Sequence, residues 1–338
     1  LGSMAAVVWL RFTVANRTEK DWLLELSNAL LEDVTFYKTA GGKLLAVRRA
    51  GFYHPKAPRD IESNFYIFSL YAPGTPAPDT LVCYLRVVNS MPMQFPMQIA
   101  TARQLYRENH VIDVANGVYI GLVLVMILYN LFVYASVRDK TYLFYVGYVF
   151  FSGMVISDFQ GYVFDLFWRH TLAWVPFIDF VPAMLGNIFA LLFAWHFLDT
   201  PAHTPRMHKG IKLLLALATT ILMAGFVATL PGMQPYKVWL ELSIQGVVFC
   251  SSVYMLGVGA LLLYRQKRPA LFYVLAWTVF LIGTVLFILQ IDGLVPNNFL
   301  TENAIQIGSG IETVLLSLAL ADRINIYKRE REKAQNQY

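Results

Sequence analysis

Trp9 and Arg11 stand two residues apart, and so do Tyr84 and Arg86. In an extended strand such neighbours share a face, so each pair sets an aromatic ring beside a guanidinium. A ring can stack on a sugar, and a guanidinium can hold its polar or acidic substituents. Tyr37 is expected to join the same outer face, giving Trp9, Arg11, Tyr37, Tyr84 and Arg86 as candidate ligand-binding residues. An ordinary exposed sheet face, or one covered by a neighbouring domain or lid, would show the same pattern. A different chemistry is suggested by Asn187, Gln245 and Glu312, which interrupt long apolar runs. Ionisable groups in lipid are costly and mark functional sites. Counted inward from the outer ends of their segments, the three lie about seven to ten residues deep, or about 10–15 Å at about 1.5 Å per residue. They are expected to form one hydrogen-bonded cluster. That cluster would act as a polar switch, with protonation of Glu312 as its event, or as interhelical bonds of about 0.6 kcal/mol each that hold the bundle together. Asn130 lies deeper, towards the cytoplasm.

The elements that must position these residues fall into two parts. From Ala6 to Asn16, Leu10, Phe12 and Val14 alternate with Trp9, Arg11 and Thr13, as in a half-buried strand. Further strands are predicted at Trp22–Leu26, Val34–Thr39, Phe65–Tyr71, Thr80–Val88 and Met93–Ala100. Turn residues lie between them, at Gly41-Gly42, His54-Pro55, Pro58 and the run from Pro73 to Pro78. Short strands without helical patterning between them predict an antiparallel β-sandwich over residues 1–110.

Within residues 111–324 the long apolar segments carry almost no charge, and the charged residues fall mostly in the joints between them. The whole sequence of 338 residues is 57% hydrophobic and 14% charged, against about 25% charged in soluble domains. Seven runs approach the roughly 20 apolar residues needed to cross a bilayer. They are Gly117–Val137, Thr141–Ser157, Phe177–Phe197, Gly210–Leu230, Val238–Tyr264, Ala270–Ile291 and Ala304–Ile324. With the N-terminal domain outside, the inner loops hold Arg138, Lys140, Arg206, Lys209, Arg265, Lys267 and Arg268, and the outer loops only Arg169 and Lys237. The positive-inside rule therefore places the sandwich outside and the C-terminus in the cytoplasm. Trp168 and Trp174 are expected at an interface. The basic residues of the membrane part sit in loops between apolar segments, as membrane topology predicts, so the net charge of +5 implies no nucleic-acid partner.

Residues 325–338 are charged and favour helix, reading as the first turns of a cytoplasmic signalling helix whose output domain lies beyond. No export signal precedes the first strand, so the start of the sensor domain is expected to be lost, or Gly2-Ser3-Met4 to be a cloning remnant. Cys83 and Cys250 fall in a strand and a membrane segment, so neither a disulfide nor a metal site is expected, and no cofactor is implied. The seventh segment has no lysine for a retinal Schiff base. Ser309 and His196 lie about ten residues apart in depth, roughly 15 Å, too far for an intramembrane protease pair. A small-molecule transporter with an exterior capture domain is the strongest alternative, although no internal repeat supports it.

Several stretches resemble the bacterial seven-transmembrane receptors with diverse intracellular signalling modules. They are Tyr129-Asn130-Leu131-Phe132, the run Arg138-Asp139-Lys140-Thr141-Tyr142-Leu143-Phe144-Tyr145, Gly161, Gln306-Ile307-Gly308-Ser309, Glu312, and Leu316 to Ile324. Val8-Trp9-Leu10-Arg11-Phe12 resembles that family's second type of extracellular domain, a jelly-roll sandwich similar to carbohydrate-binding modules. The resemblance implies a receptor of the bacterial inner membrane that senses a periplasmic carbohydrate or protein partner. It would signal to a cytoplasmic histidine kinase or diguanylate cyclase in cis, with a homodimer expected by analogy. No catalytic module lies in the chain itself.

Overall fold

The computed structural model describes residues 6–18, 20–54, 57–71, 80–89, 96–164, 177, 180–230, 237–265, 269–296 and 298–335, with side chains described up to residue 323. Two compact units result: Leu1–Gly117 with Ser157–Pro176, and Val118–Ile156 with Phe177–Tyr338.

The first unit holds two antiparallel sheets. Strands β1 (Ala6–Ala15), β3 (Asp33–Ala40), β4 (Lys43–Ala50) and β6 (Thr80–Asn89) form one sheet in the order β1-β6-β3-β4. Strands β2 (Leu23–Leu26), β5 (Tyr66–Ser69) and β7 (Met97–Ala100) form the other, in the order β5-β2-β7. The chain passes back and forth between the sheets, the connection pattern of a jelly roll. Alternation sends every second residue inward. Val34 and Phe36 on β3, and Leu81, Cys83, Leu85 and Val87 on β6, meet Leu24, Leu26, Tyr66 and Phe68 of the facing sheet. Burial pushes the Cys83 thiol up to about 11, which keeps this core residue unreactive near neutral pH.

Strand β4 was not anticipated from the sequence, where only its turn was read. That turn is Gly41-Gly42, with φ of 54° and 78°, between the paired residues Ala40 and Lys43. Two consecutive positive φ angles make a type I′ hairpin, which glycine adopts without strain. Pairing of β4 with β3 then overrides its weak pattern. The predicted turn at Pro73–Pro78, the first part of the strand at Met93–Ala100, the interfacial Trp168 and Trp174, and the loop cations Lys267 and Arg268 lie outside the described residues.

Among the described residues seven long helices follow: α1 (Ala102–Val137), α2 (Lys140–Asp158), α3 (Val181–Phe197), α4 (Pro205–Ala228), α5 (Lys237–Tyr264), α6 (Pro269–Ile291) and α7 (Ala304–Gln335). Five of them, α1 and α4 to α7, are long and apolar enough to cross a membrane. The other two deviate for visible reasons. Tyrosines at 142, 145 and 148 lower the hydropathy of α2, and α3 is apolar but has 17 residues. Residues 103–114, which precede the first predicted apolar run, form the first turns of α1. Leu105 there is buried with Leu23, Ile67 and Ala100 on the outer face of the three-stranded sheet, which explains why helix begins so early.

Two junctions show how the local sequence is used. Arg138 has φ 61°, reversing the chain between α1 and α2, and Asp139 Oδ1 accepts from the Thr141 backbone N–H at 2.9 Å and hydroxyl at 2.7 Å. This caps the first turn of α2. Gly161 has φ 77°, and a Cβ there would stand 2.7 Å from Ala29 Cβ.

Helices α6 and α7 cross in near contact. A Cβ on Gly283 would lie 2.5 Å from the Ala304 carbonyl oxygen, and one on Gly308 would lie 3.2 Å from the Val279 carbonyl oxygen. Small residues allow such backbone approach between membrane helices. Gly283→Ala is therefore expected to cost about 1–3 kcal/mol through overpacking and to lower the melting temperature of the purified protein. Gly257→Ala, where nothing lies within 4 Å, should leave it unchanged. Equal melting of both variants would refute the close crossing.

Candidate functional site

The register of the four-stranded sheet brings together the exterior candidates. Trp9 pairs with Arg86, which pairs with Thr35, which pairs with Arg49. One row along, Arg11, Tyr84, Tyr37 and Val47 are opposed in the same way. All eight side chains share the face turned away from the sandwich core. Trp9 is 55% exposed, while Thr35 is 4% exposed beneath its neighbours. The Trp9 and Tyr37 rings lean together across β6, with centroids 5.9 Å apart and planes at 21°. Arg11 and Arg49 are exposed beside them.

Arg86 is less available than its position suggests. Its Nη1 donates to Asp33 Oδ2 at 3.1 Å, and His54 Nε2 lies 3.2 Å from Asp33 Oδ1. Asp33, Thr35 and Tyr37 alternate onto this face together, but Asp33 lies one residue ahead of the predicted strand Val34–Thr39, and its contact was not expected. Arg49 and Val47 could not be found without β4.

The second set of candidates belongs to the membrane unit, and it is not one cluster. Asn187 on α3 donates to Ser251 Oγ on α5 at 3.2 Å, and both are buried. Gln245 lies exposed on α5, one turn and a half away along the helix and on a different side. Glu312 is fully buried and bonds with α2, not with Asn187 or Gln245. Similar depth did not bring the three together because the facing sides of their helices differ, and facing is set by packing. Ser309 and His196 are likewise apart: Ser309 bonds with Tyr119, and His196 Nδ1 bonds with the Leu192 carbonyl.

What the structure assembles instead is a column of polar contacts along α7. Tyr119 on α1 lies 3.1 Å from Ser309 Oγ. The Tyr148 hydroxyl donates to both Glu312 carboxyl oxygens, each at 2.8 Å. The Tyr145 hydroxyl donates to the Thr313 carbonyl at 2.6 Å, and the Tyr142 hydroxyl to the Leu320 carbonyl at 3.2 Å. Asn130 Nδ2 on α1 donates to Ser317 Oγ at 3.0 Å. At the end of the column Arg323 Nη1 donates to Thr141 Oγ1 at 3.3 Å, and its guanidinium lies 5.7 Å from the Phe197 ring centroid. The α7 positions recur at three- and four-residue spacing, so they share one face. On α2, positions 142, 145 and 148 repeat at the same spacing. Their recurrence at every third residue is the sequence signal that places Tyr142, Tyr145 and Tyr148 on one side of α2.

Packing around Glu312 is aromatic. Trp277 on α6 stacks on Tyr148 with centroids 6.0 Å apart, and Tyr273 lies 6.1 Å from Trp277. The Tyr273 hydroxyl and Trp277 indole N–H are buried and have no hydrogen bond of ordinary geometry among the described residues.

A β-sandwich leading through one continuous helix into a bundle of apolar helices is the plan of a transmembrane sensor. The chain belongs to the seven-transmembrane receptors with diverse intracellular signalling: the model of the membrane domain (7TM diverse intracellular signalling) matches residues 112–323. A second model, 7TMR-DISM extracellular 2, matches residues 1–101. Comparison with the curated proteins and with the solved structures returns no significant match. The chain is thus a multi-pass membrane protein with an extracellular domain, and its matched domains are of sensor type.

Removing the hydroxyl of Tyr148 leaves the Glu312 carboxyl with no donor from that ring. Tyr148→Phe is expected to destabilise the folded protein by about 1–3 kcal/mol, read as a loss of thermal stability in detergent. Combining it with Glu312→Met should cost less than the sum of the two single changes, because the unsatisfied carboxyl is then gone. Strict additivity would show that the two side chains do not interact.

Proposed function

We propose that this chain is the receptor part of a bacterial inner-membrane signalling protein. The sandwich faces the periplasm, the C-terminus of α7 faces the cytoplasm, and the ligand is a carbohydrate held on the exposed face of the four-stranded sheet. The observation that carries the ligand reading is the Trp9–Tyr37 ring pair, 5.9 Å apart, standing in solvent beside exposed Arg11. Rings of this kind present apolar area at little entropic cost, and an exposed guanidinium favours acidic substituents. Arg86, neutralised by Asp33, serves to hold the platform and not to bind charge. The orientation rests on the distribution of Lys and Arg among the loops.

The relay is α7. Its contacts with α1 and α2 are many, short and individually weak, at about 0.6 kcal/mol apiece in membranes. Such a set can be exchanged for another when a ligand stabilises a second arrangement. A cytoplasmic output module in cis, a histidine kinase or a diguanylate cyclase, would read the movement of the helix beyond Arg323.

The test is calorimetric titration of the whole chain in nanodiscs with neutral and acidic cell-envelope glycans. Saturable binding is expected, with affinity reduced about tenfold by Trp9→Ala, the scale of one lost stacking partner. Arg11→Ala should weaken acidic glycans more than neutral ones. Undiminished binding in Trp9→Ala, or no glycan binding at all, would remove the ligand from this face.

A further inference from the structure

The extracellular unit contains a cavity of about 680 Å³ away from the Trp9 face, within the roughly 300–1,000 Å³ of small-molecule sites. Its floor is the outer side of the three-stranded sheet and the first turns of α1, at Leu23, Ile67 and Leu105, all buried. Aromatic groups stand around it. Phe65 comes from the segment before β5, Tyr106 from α1, and Tyr162 from the turn after α2. Tyr106 is 75% exposed, so an apolar ring borders the opening.

The charge of the lining is one-sided. Glu62 and Asp113 are its charged members, and no Lys, Arg or His lines it among the described residues. Arg59 lies over the Tyr66 ring and donates to the carbonyl of Ser63, at the margin of the lining. Arg103 and Arg107 lie on exposed faces of α1 outside the lining. A third carboxyl stands just behind the wall. Glu25 is 1% exposed and accepts from neutral donors, Asn109 Nδ2 at 3.0 Å, Gln98 Nε2 at 2.9 Å and Ser27 Oγ at 3.0 Å. Asn109 itself lines the cavity. An anion or phosphate group would face the two carboxylates of the lining. A bare metal ion would gain nothing from the apolar floor. A small organic cation satisfies both features: its charge meets the carboxylates and ring faces, and its body covers the floor.

We propose that this cavity is a second ligand site, for a small organic amine with an alkyl or aryl body. The Asp113 carboxylate, which accepts from the Tyr162 hydroxyl, and Glu62 take the ammonium group. Tyr106 and Phe65 flank it, and the carbon body lies on Leu23, Ile67 and Leu105. Three of these groups, Leu105, Tyr106 and Asp113, belong to α1, the same helix whose Tyr119 and Asn130 bond to α7. Occupancy would therefore act on α1, and through the α1 bonds on α7, independently of the sheet-face ligand.

The experiment is calorimetry on the full chain in nanodiscs of zwitterionic lipid, which removes cation binding to lipid. The probes are phenethylamine and cadaverine, with phenylacetate and glutarate as charge-reversed counterparts. Both amines should bind at one site, and neither carboxylate should. Glu62→Gln/Asp113→Asn keeps hydrogen-bonding shape but removes both charges, and should weaken amine binding about tenfold or more. Ala102→Trp fills the lining from the start of α1 without touching charge, and should have the same effect. Size-exclusion profile and melting temperature establish that each variant is folded. The proposal is overturned if the native chain binds neither amine, if the carboxylates bind as well as the amines, or if either folded variant binds like the native chain.

Discussion

Inside a bilayer a polar side chain has no water to fall back on, so it must find protein. That obligation organises the membrane unit. Ser309, Glu312 and Ser317 interrupt an otherwise apolar α7, and each finds its partner on α1 or α2, through Tyr119, Tyr148 and Asn130. Tyr142 and Tyr145 then add bonds to α7 carbonyls that helix geometry leaves accessible. The other side of α7 is fixed differently, by the backbone approach at Gly283 and Gly308. One side is held by directional bonds and the other by shape. Such a helix has a defined position, yet the bonds that define it are weak enough to trade.

Helix α1 links this arrangement to the extracellular unit. Its first turns are apolar towards the three-stranded sheet, where Leu105 is buried, and polar at Asn109, which reaches Glu25. Its later turns carry Tyr119 and Asn130. One uninterrupted 36-residue helix thus serves two environments with different rules. In water its packing rests on apolar burial. In lipid, where apolar burial drives little, it rests on hydrogen bonds and close packing.

The sandwich shows the same division between core and face. Inward positions are aliphatic or aromatic and closely packed, while the outward rows of the four-stranded sheet collect Trp9, Tyr37, Tyr84 and three arginines. Asp33 cancels one of those charges, which allows Arg86 to sit half-buried among rings. A surface so assembled is held by an ion pair at its centre and charged at its margin.

The sequence by itself determined the two-part plan, most strands and the apolar helices, because alternation and apolar length report directly on period and solvent. It also determined that the aromatic and arginine pairs share one face, since a period of two admits no other result. It could not reveal β4, whose strand character comes from its partner β3 through the Gly41-Gly42 turn. Nor could it decide the intramembrane partners. Depth follows from residue counting, and on that measure Asn187, Gln245 and Glu312 looked equivalent. Which side of a helix faces which neighbour follows from packing, and packing separated them: Asn187 to Ser251, Gln245 to the exposed side, Glu312 to Tyr148. The tertiary structure alone chose the tyrosines of α2 as the partners of α7, because a hydrogen bond depends on rotation about the helix axis, and that rotation is fixed only when the helices have packed.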